Sequence, residues 1–304
     1  MFYRLRQSLN YWRFNRQIAA IHDTPPLRIT DSDLRITSMV AVPRDLSMYL
    51  LAAKMLYRRI GHGRFVMLPD KPLPEAWKDR IRRHFDDAVS FTLLADIPVG
   101  PVQRGGCWER LLACLDLSAE HYVIQMDCDT LALADIPEVR DAVAANRAFT
   151  MAESLPLQSF AEAAAWSEQD GPPSHVIDDA QRAFARHPRR DALRYIRGSA
   201  GFAGFAKGAR NRADAELFHA EMEALLGVDR WRTWGTEQVA SNVMVANSPD
   251  PIPLPYPAYA SVLRRSDLGQ VRFAHFIGSD RFRGGRFAHE GTRLIRDLLA
   301  APAT

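Results

Sequence analysis

Short apolar runs of strand length alternate along the chain with longer stretches in which apolar residues recur every three or four positions. Residues 34–42 (LRITSMVAV) form the first strand-like run, which stops at Pro43, Arg44 and Asp45. Residues 46–59 then place Met48, Leu51, Ala52, Met55 and Leu56 on one face and close at Gly61 and Gly63, which predicts a helix. A second strand is expected at 64–68 (RFVML), a helix at 77–84 and a third strand at 88–93. This strand, helix, strand rhythm predicts an α/β protein with a mainly parallel sheet.

After a loop over 94–104, residues 105–115 (GGCWERLLACL) predict a helix that leads into the apolar run 122–126 (YVIQM). A further helix is expected over 136–145 and a strand over 148–151. From 153 to 194 the periodicity weakens while Gly171, Pro172, Pro173 and Pro188 accumulate, so this stretch reads as an irregular excursion with helical pieces near 160–166 and 178–186. The sheet resumes over 195–205 (YIRGSAGFAGF), where Gly198, Gly201 and Gly204 either leave room for a ligand or mark bulges and tight packing. Helices follow at 211–226 and from Thr236, the expected cap of its helix. A proline-rich stretch, 249–257, precedes a last strand over 271–276.

The run 122–126 ends in Asp127, Cys128 and Asp129. Acid following five buried-type residues fits a central strand that surfaces at its C-terminal end, where open α/β sheets bind ligands. Two carboxylates one residue apart can share a divalent cation, and Mg²⁺ or Mn²⁺ takes such hard oxygens together with phosphate. The same short pattern also serves as turn or cap residues. No Gly-x-Gly-x-x-Gly follows the first strand, which argues against a dinucleotide-binding site.

Composition narrows the classes. The chain has 304 residues, is 47% hydrophobic and 25% charged, and carries a formal charge of +3, too mild to argue for a nucleic-acid partner. Cys107, Cys114 and Cys128 lack disulfide-framework or zinc spacing, and with no secretory leader pattern the expected compartment is the cytoplasm. The first 22 residues mix Arg4, Arg6, Arg13 and Arg16 with Phe2, Tyr3, Leu5, Leu9, Tyr11, Trp12, Phe14 and Ile18 and contain no acid. This arm reads either as a helix packed on the domain or as a basic amphipathic helix making peripheral contact with an anionic membrane at its inner face.

Taken in order, the landmarks resemble the nucleotide-sugar glycosyltransferases of the GT-A fold, in particular the retaining glycogenin and galactosyltransferase-like group. DCDTLALADI, from Asp127 to Ile136, is similar to that group's Asp-x-Asp signature. The strand at 198–202 sits where the group has Asn-x-Gly, Glu237, Gln238 and Asn242 fall at its Asp-Gln…Asn helix start, and His275, Gly278 and Arg281 are similar to its His-x-x-Gly-x-x-Lys motif. The resemblance spans about residues 35–290 and implies a single Rossmann-like, mixed but mainly parallel sheet flanked by helices. Within it an arm at 1–33, a nucleotide-sugar-binding half at 34–152 and an acceptor-side half at 153–304 are expected.

The implied roles follow. Asp127, Asp129 and His275 would hold Mn²⁺ or Mg²⁺ against the two phosphates of a nucleotide diphosphate sugar such as a UDP-hexose, with Arg281 pairing the phosphates. Val42, Pro43 and Arg44 would frame base and ribose, Gly201 would lie beside the donor, and Glu237 or Gln238 would stand beneath the anomeric carbon. In an inverting reaction Glu237 would instead be the base that activates the acceptor hydroxyl. The acceptor would be a glycan or a lipid-linked glycan. The chain departs from the group at Ser199 or Gly198 in place of asparagine, at Glu237 in place of aspartate, and at Phe282 and Arg283 in place of Pro-Trp. A nucleotidyltransferase or a non-catalytic sugar-nucleotide-binding protein are the competing readings; the former should carry a glycine- and lysine-rich loop after the first strand, and residues 42–45 offer none.

Overall fold

A computed structural model describes residues 2–153, 155–169, 171, 173, 175–263, 267–282 and 285–300. Pro172, Arg283 and the side chains of Phe2, Tyr3, Arg4, Leu5 and Arg6 lie outside the described residues. Helix α1 (Phe2–Ile18) leads through a 3-10 turn into β1 (Leu34–Val40), α2 (Leu46–Ile60), β2 (Arg64–Pro69), α3 (Glu75–His84) and β3 (Val89–Phe91). Then come α4 (Trp108–Ser118), β4 (Tyr122–Met126), β5 (Thr130–Ala132), α5 (Pro137–Ala144) and β6 (Phe149–Ala152). The excursion contains β7 (Gln158–Ser159), α6 (Phe160–Gln169), α7 (Val176–Ala183) and β8 (Arg194–Tyr195). The chain continues as β9 (Gly198–Phe205), α8 (Arg212–Leu226), α9 (Val228–Trp231), α10 (Thr236–Ala246), β10 (Ile252–Leu254), β11 (Tyr259–Val262), β12 (Phe273–Phe276) and α11 (Arg286–Ala300).

The fold is α/β, with a seven-stranded sheet that is mixed but mainly parallel. The chain divides into two compact units, one of residues 1–93, 126–137 and 257–304 and one of 94–125 and 138–256. In the first, β1, β2 and β3 pair in parallel, and a small second sheet is ordered β11-β12-β5. Helix α2 is buried along nearly its whole length, which explains why Leu, Met and Ala fill it on several faces. Lys54 is buried there too; its Nζ donates to Thr24 Oγ1 (2.8 Å) and to the Pro25 carbonyl (2.6 Å), which replaces the water it gives up. Helix α1 packs its inner stripe on this unit: the Phe14 ring lies 4.6 Å from Phe287 and 5.0 Å from Phe282.

In the second unit the strand order is β10-β6-β9-β4, with β10 parallel and β9 antiparallel to β6. The glycines of β9 serve tight packing at two positions. A Cβ on Gly198 would stand 2.6 Å from the Met151 carbonyl oxygen, and one on Gly204 would stand 2.3 Å from the Phe149 ring. Asn242 of α10 donates to the Gly198 carbonyl (2.8 Å) and accepts from Thr150 Oγ1 (3.1 Å), so one buried amide ties helix to two strands.

Two sequence expectations are corrected here. The helix expected from Gly105 begins at Trp108, because Gly105, Gly106 and Cys107 have φ of 91°, 61° and 73°, a left-handed run that no α-helix contains. Thr236 does not cap α10. Gly235 occupies the cap position with φ of 109°, while the Thr236 hydroxyl accepts from Trp108 Nε1 at 3.1 Å. Among the described residues no helix is long and apolar enough to cross a membrane.

Candidate functional site

The cluster is built within the first unit, where the chain turns from the end of β4 into β5. Ser38 Oγ donates to the Met126 carbonyl (2.9 Å) and Cys128 Sγ donates to the Met39 carbonyl (3.2 Å), fixing the turn against β1. Thr130 closes it: both its amide (3.3 Å) and its hydroxyl (2.7 Å) donate to the Asp127 carbonyl. Strand β12 runs antiparallel to β5 with His275 opposite Thr130, and the Phe276 amide donates to the Asp129 carbonyl (2.9 Å). This pairing, between segments more than 140 residues apart in sequence, carries the imidazole to the two carboxylates.

His275 Nε2 stands 3.3 Å from Asp129 Oδ1 and 3.6 Å from Asp127 Oδ2. One ligand atom from each of Asp127, Asp129 and His275 lies within 4.8 Å of the others. Neighbouring ligands of an octahedral ion at about 2.1 Å lie about 3 Å apart, so the trio needs only small shifts to share a cation. Two carboxylates and an imidazole also suit Mn²⁺ or Mg²⁺ better than the soft ligand sets that select copper or zinc.

Arg281 completes the cluster from the 3-10 turn Ser279–Phe282; its Nη1 donates to Asp129 Oδ2. Its guanidinium also lies 5.2 Å over the Phe282 ring. Burial acts to raise the Asp129 carboxyl, but the charge and hydrogen bond of His275 and the charge of Arg281 outweigh it and hold Asp129 below the usual carboxylate range. At His275 burial acts to lower the imidazole, while Asp129 and Asp127 overcome that and raise it, against Arg281. The Cys128 thiol is pushed up by burial first and by the surrounding carboxylates second, so it is a buried spacer between them and no nucleophile.

The loop expected to frame a base and ribose belongs to the same unit. The Val42 amide donates to Asp70 Oδ1 (2.7 Å), and Arg44 makes a two-pronged ion pair with Asp45 (2.9 and 2.8 Å) while its own carbonyl accepts from the Tyr11 hydroxyl. The remaining expected residues belong to the second unit. Gly201 donates its amide to Ser199 Oγ (3.2 Å) in β9. Glu237 is buried in the first turn of α10, where both its carboxylate oxygens accept from Arg110 Nη2 (3.1 and 2.9 Å), and Gln238 beside it is half-buried.

Three supporting residues escape the sequence reading: Arg110, Asp70 and Tyr11. Arg110 had a visible signal, because it interrupts the apolar face of WERLLACL and a buried arginine demands a carboxylate. Asp70 reads as an ordinary strand-end turn residue, and nothing in the sequence marks Tyr11 from its aromatic neighbours.

No protein-family model matches the chain, and no curated protein matches it. Solved structures do. An active-site mutant of LgtC matches with a TM-score of 0.50 at 14% identity, over 88% of this chain and 97% of that one. The galactosyltransferase LgtC in complex with donor and acceptor sugar analogues matches with a TM-score of 0.46 at 12% identity, over 88% and 97%. Mouse xyloside xylosyltransferase 1 matches with a TM-score of 0.45 at 11% identity, over 81% and 97%. Together with the sheet and helices described above, the first of these likenesses bears out the expected architecture: the chain has the GT-A fold found among glycosyltransferases.

Proposed function

We propose that the chain is a Mn²⁺- or Mg²⁺-dependent hexosyltransferase that moves a sugar from a UDP-hexose to a glycan or glycolipid acceptor, with retention of configuration, in the cytoplasm. The observation that carries this reading is the convergence of Asp127, Asp129 and His275, with Arg281 beside them, in a chain of GT-A fold. A bound cation would supply charge neutralisation for the diphosphate leaving group. Asp127, Asp129 and His275 hold it, and Arg281 exchanges its pairing with Asp129 for the phosphate oxygens, which suits a planar guanidinium.

Val42, Pro43 and Arg44 frame base and ribose, and Gly201 admits the donor close to the backbone. Glu237 and Gln238 serve the anomeric carbon, where a carboxylate or amide oxygen stabilises an oxocarbenium-like transition state. In this reading residues 34–152 form the nucleotide half and 153–304 the acceptor half.

The test is a panel of UDP-, GDP- and CMP-sugars with and without Mn²⁺. Slow release of UDP from a UDP-hexose, lost on chelation and in Asp129→Ala, is the expected result. Mn²⁺-dependent UDP binding without any turnover would favour the non-catalytic binding protein. Equal UDP affinity with and without metal would remove the metal site altogether.

A further inference from the structure

We infer that the outward face of α1 docks on an anionic lipid surface. Among the described side chains the inward stripe of this helix is packed: Phe14 and Ile18 are buried, and the Tyr11 ring lies 5.1 Å from Phe282. A surface helix partnered in this way ordinarily presents polar residues on its other side. Here, among the described side chains of the helix, Ser8, Leu9, Trp12, Arg13, Arg16 and Gln17 are the exposed positions, recurring as adjacent pairs every four residues and so forming one stripe. Leu9 is 45% and Trp12 53% exposed, and the Arg16 guanidinium covers the indole at 4.8 Å.

The chemistry of the stripe selects its partner. Four arginines and no carboxylate occur in the first 22 residues, so the complementary surface is anionic. Tryptophan settles at the headgroup level of a bilayer, with its ring among acyl chains and its N–H in the wet layer, while arginine pairs lipid phosphates. A convex helix face with one indole, one leucine and flanking guanidiniums fits a deformable planar surface. Docking here is independent of the sugar-transfer reading, because none of these side chains belongs to the metal cluster.

The full chain is mixed with vesicles of phosphatidylcholine alone or containing phosphatidylglycerol, and the vesicles are sedimented. The expected result is co-sedimentation with the anionic vesicles, weakening as salt is raised. Neutralising an arginine near such a surface lowers partitioning about fivefold, so Arg13→Gln/Arg16→Gln should lower it about 25-fold. Leu9→Ser/Trp12→Ser should lower it as well, and both variants, altered only at exposed positions, should keep the wild-type melting temperature. Wild-type protein left in the supernatant with both vesicle types would overturn the proposal. So would variants that sediment like the wild type, or a stripe that proves to be a dimer contact, seen as a mass by light scattering that halves in Leu9→Ser/Trp12→Ser.

Discussion

At the scale of single residues, the buried pair of Arg110 and Glu237 is the sharpest instance of a group with two demands on it. Each side chain is 5% exposed, so the two charges meet out of reach of water. Breaking a buried ion pair by removing one member is strongly destabilising, and Arg110→Met should lower unfolding free energy by about 3–5 kcal/mol. Arg110→Met/Glu237→Leu removes both charges and should recover most of that loss in a urea titration. If Glu237 also serves the anomeric carbon, the double variant regains stability while donor turnover stays lost. Full turnover in the double variant would assign Glu237 to structure alone. A buried salt bridge and a catalytic carboxylate thus separate by two measurements on one protein.

At the scale of elements, the strength of the hydrophobic period decided what was legible. β1, α2, β2 and β4 bury most of their side chains and were readable to within a residue or two, since burial writes itself into composition. Helix starts were less legible where backbone conformation overrode side-chain preference, as at Gly105–Cys107 and Gly235. The carboxylates of the cluster were readable because they end an apolar run abruptly. His275 needed the resemblance, because its place opposite Thr130 depends on an antiparallel pairing with no local signature, and which carboxylate Arg110 pairs with was hidden because Glu237 lies 127 positions away. Gly235 shows what such a position enforces. A Cβ there would stand 2.4 Å from His175 Cε1, and His175 Nδ1 accepts from the Ile177 amide (3.3 Å) to cap α7. Gly235→Ala should therefore cost about 2–4 kcal/mol in thermal or urea unfolding, from a left-handed alanine plus a displaced cap. His175→Ala/Gly235→Ala should relieve the collision and keep the backbone strain.

At the scale of the whole molecule, stability should follow pH through buried imidazoles as well as carboxylates. Burial first, then Lys54 and His22, push the His84 imidazole from the ordinary 6.5 down to about 4. The folded state then keeps His84 neutral where the unfolded chain already binds a proton, so this contribution is intact above pH 6.5 and is lost as pH falls to about 4. The urea midpoint should drop across that window, and less steeply in His84→Leu; parallel curves for the two proteins would contradict the assignment. Ligand binding is tied to the same kind of bookkeeping through Arg281. Arg281's guanidinium is Asp129's counter-charge, so a cation binding alone at the proposed site would displace a partner it cannot replace for the arginine. A diphosphate binding with the cation would give that arginine new oxygens. The proposed metal and nucleotide sites are thus linked heterotropically: each ligand should raise the other's affinity, reciprocally, by about tenfold. Titration calorimetry of Mn²⁺ with and without saturating UDP reads this coupling directly. In Arg281→Gln the metal alone should bind more tightly, UDP more weakly, and the cooperativity between them should fall towards nothing.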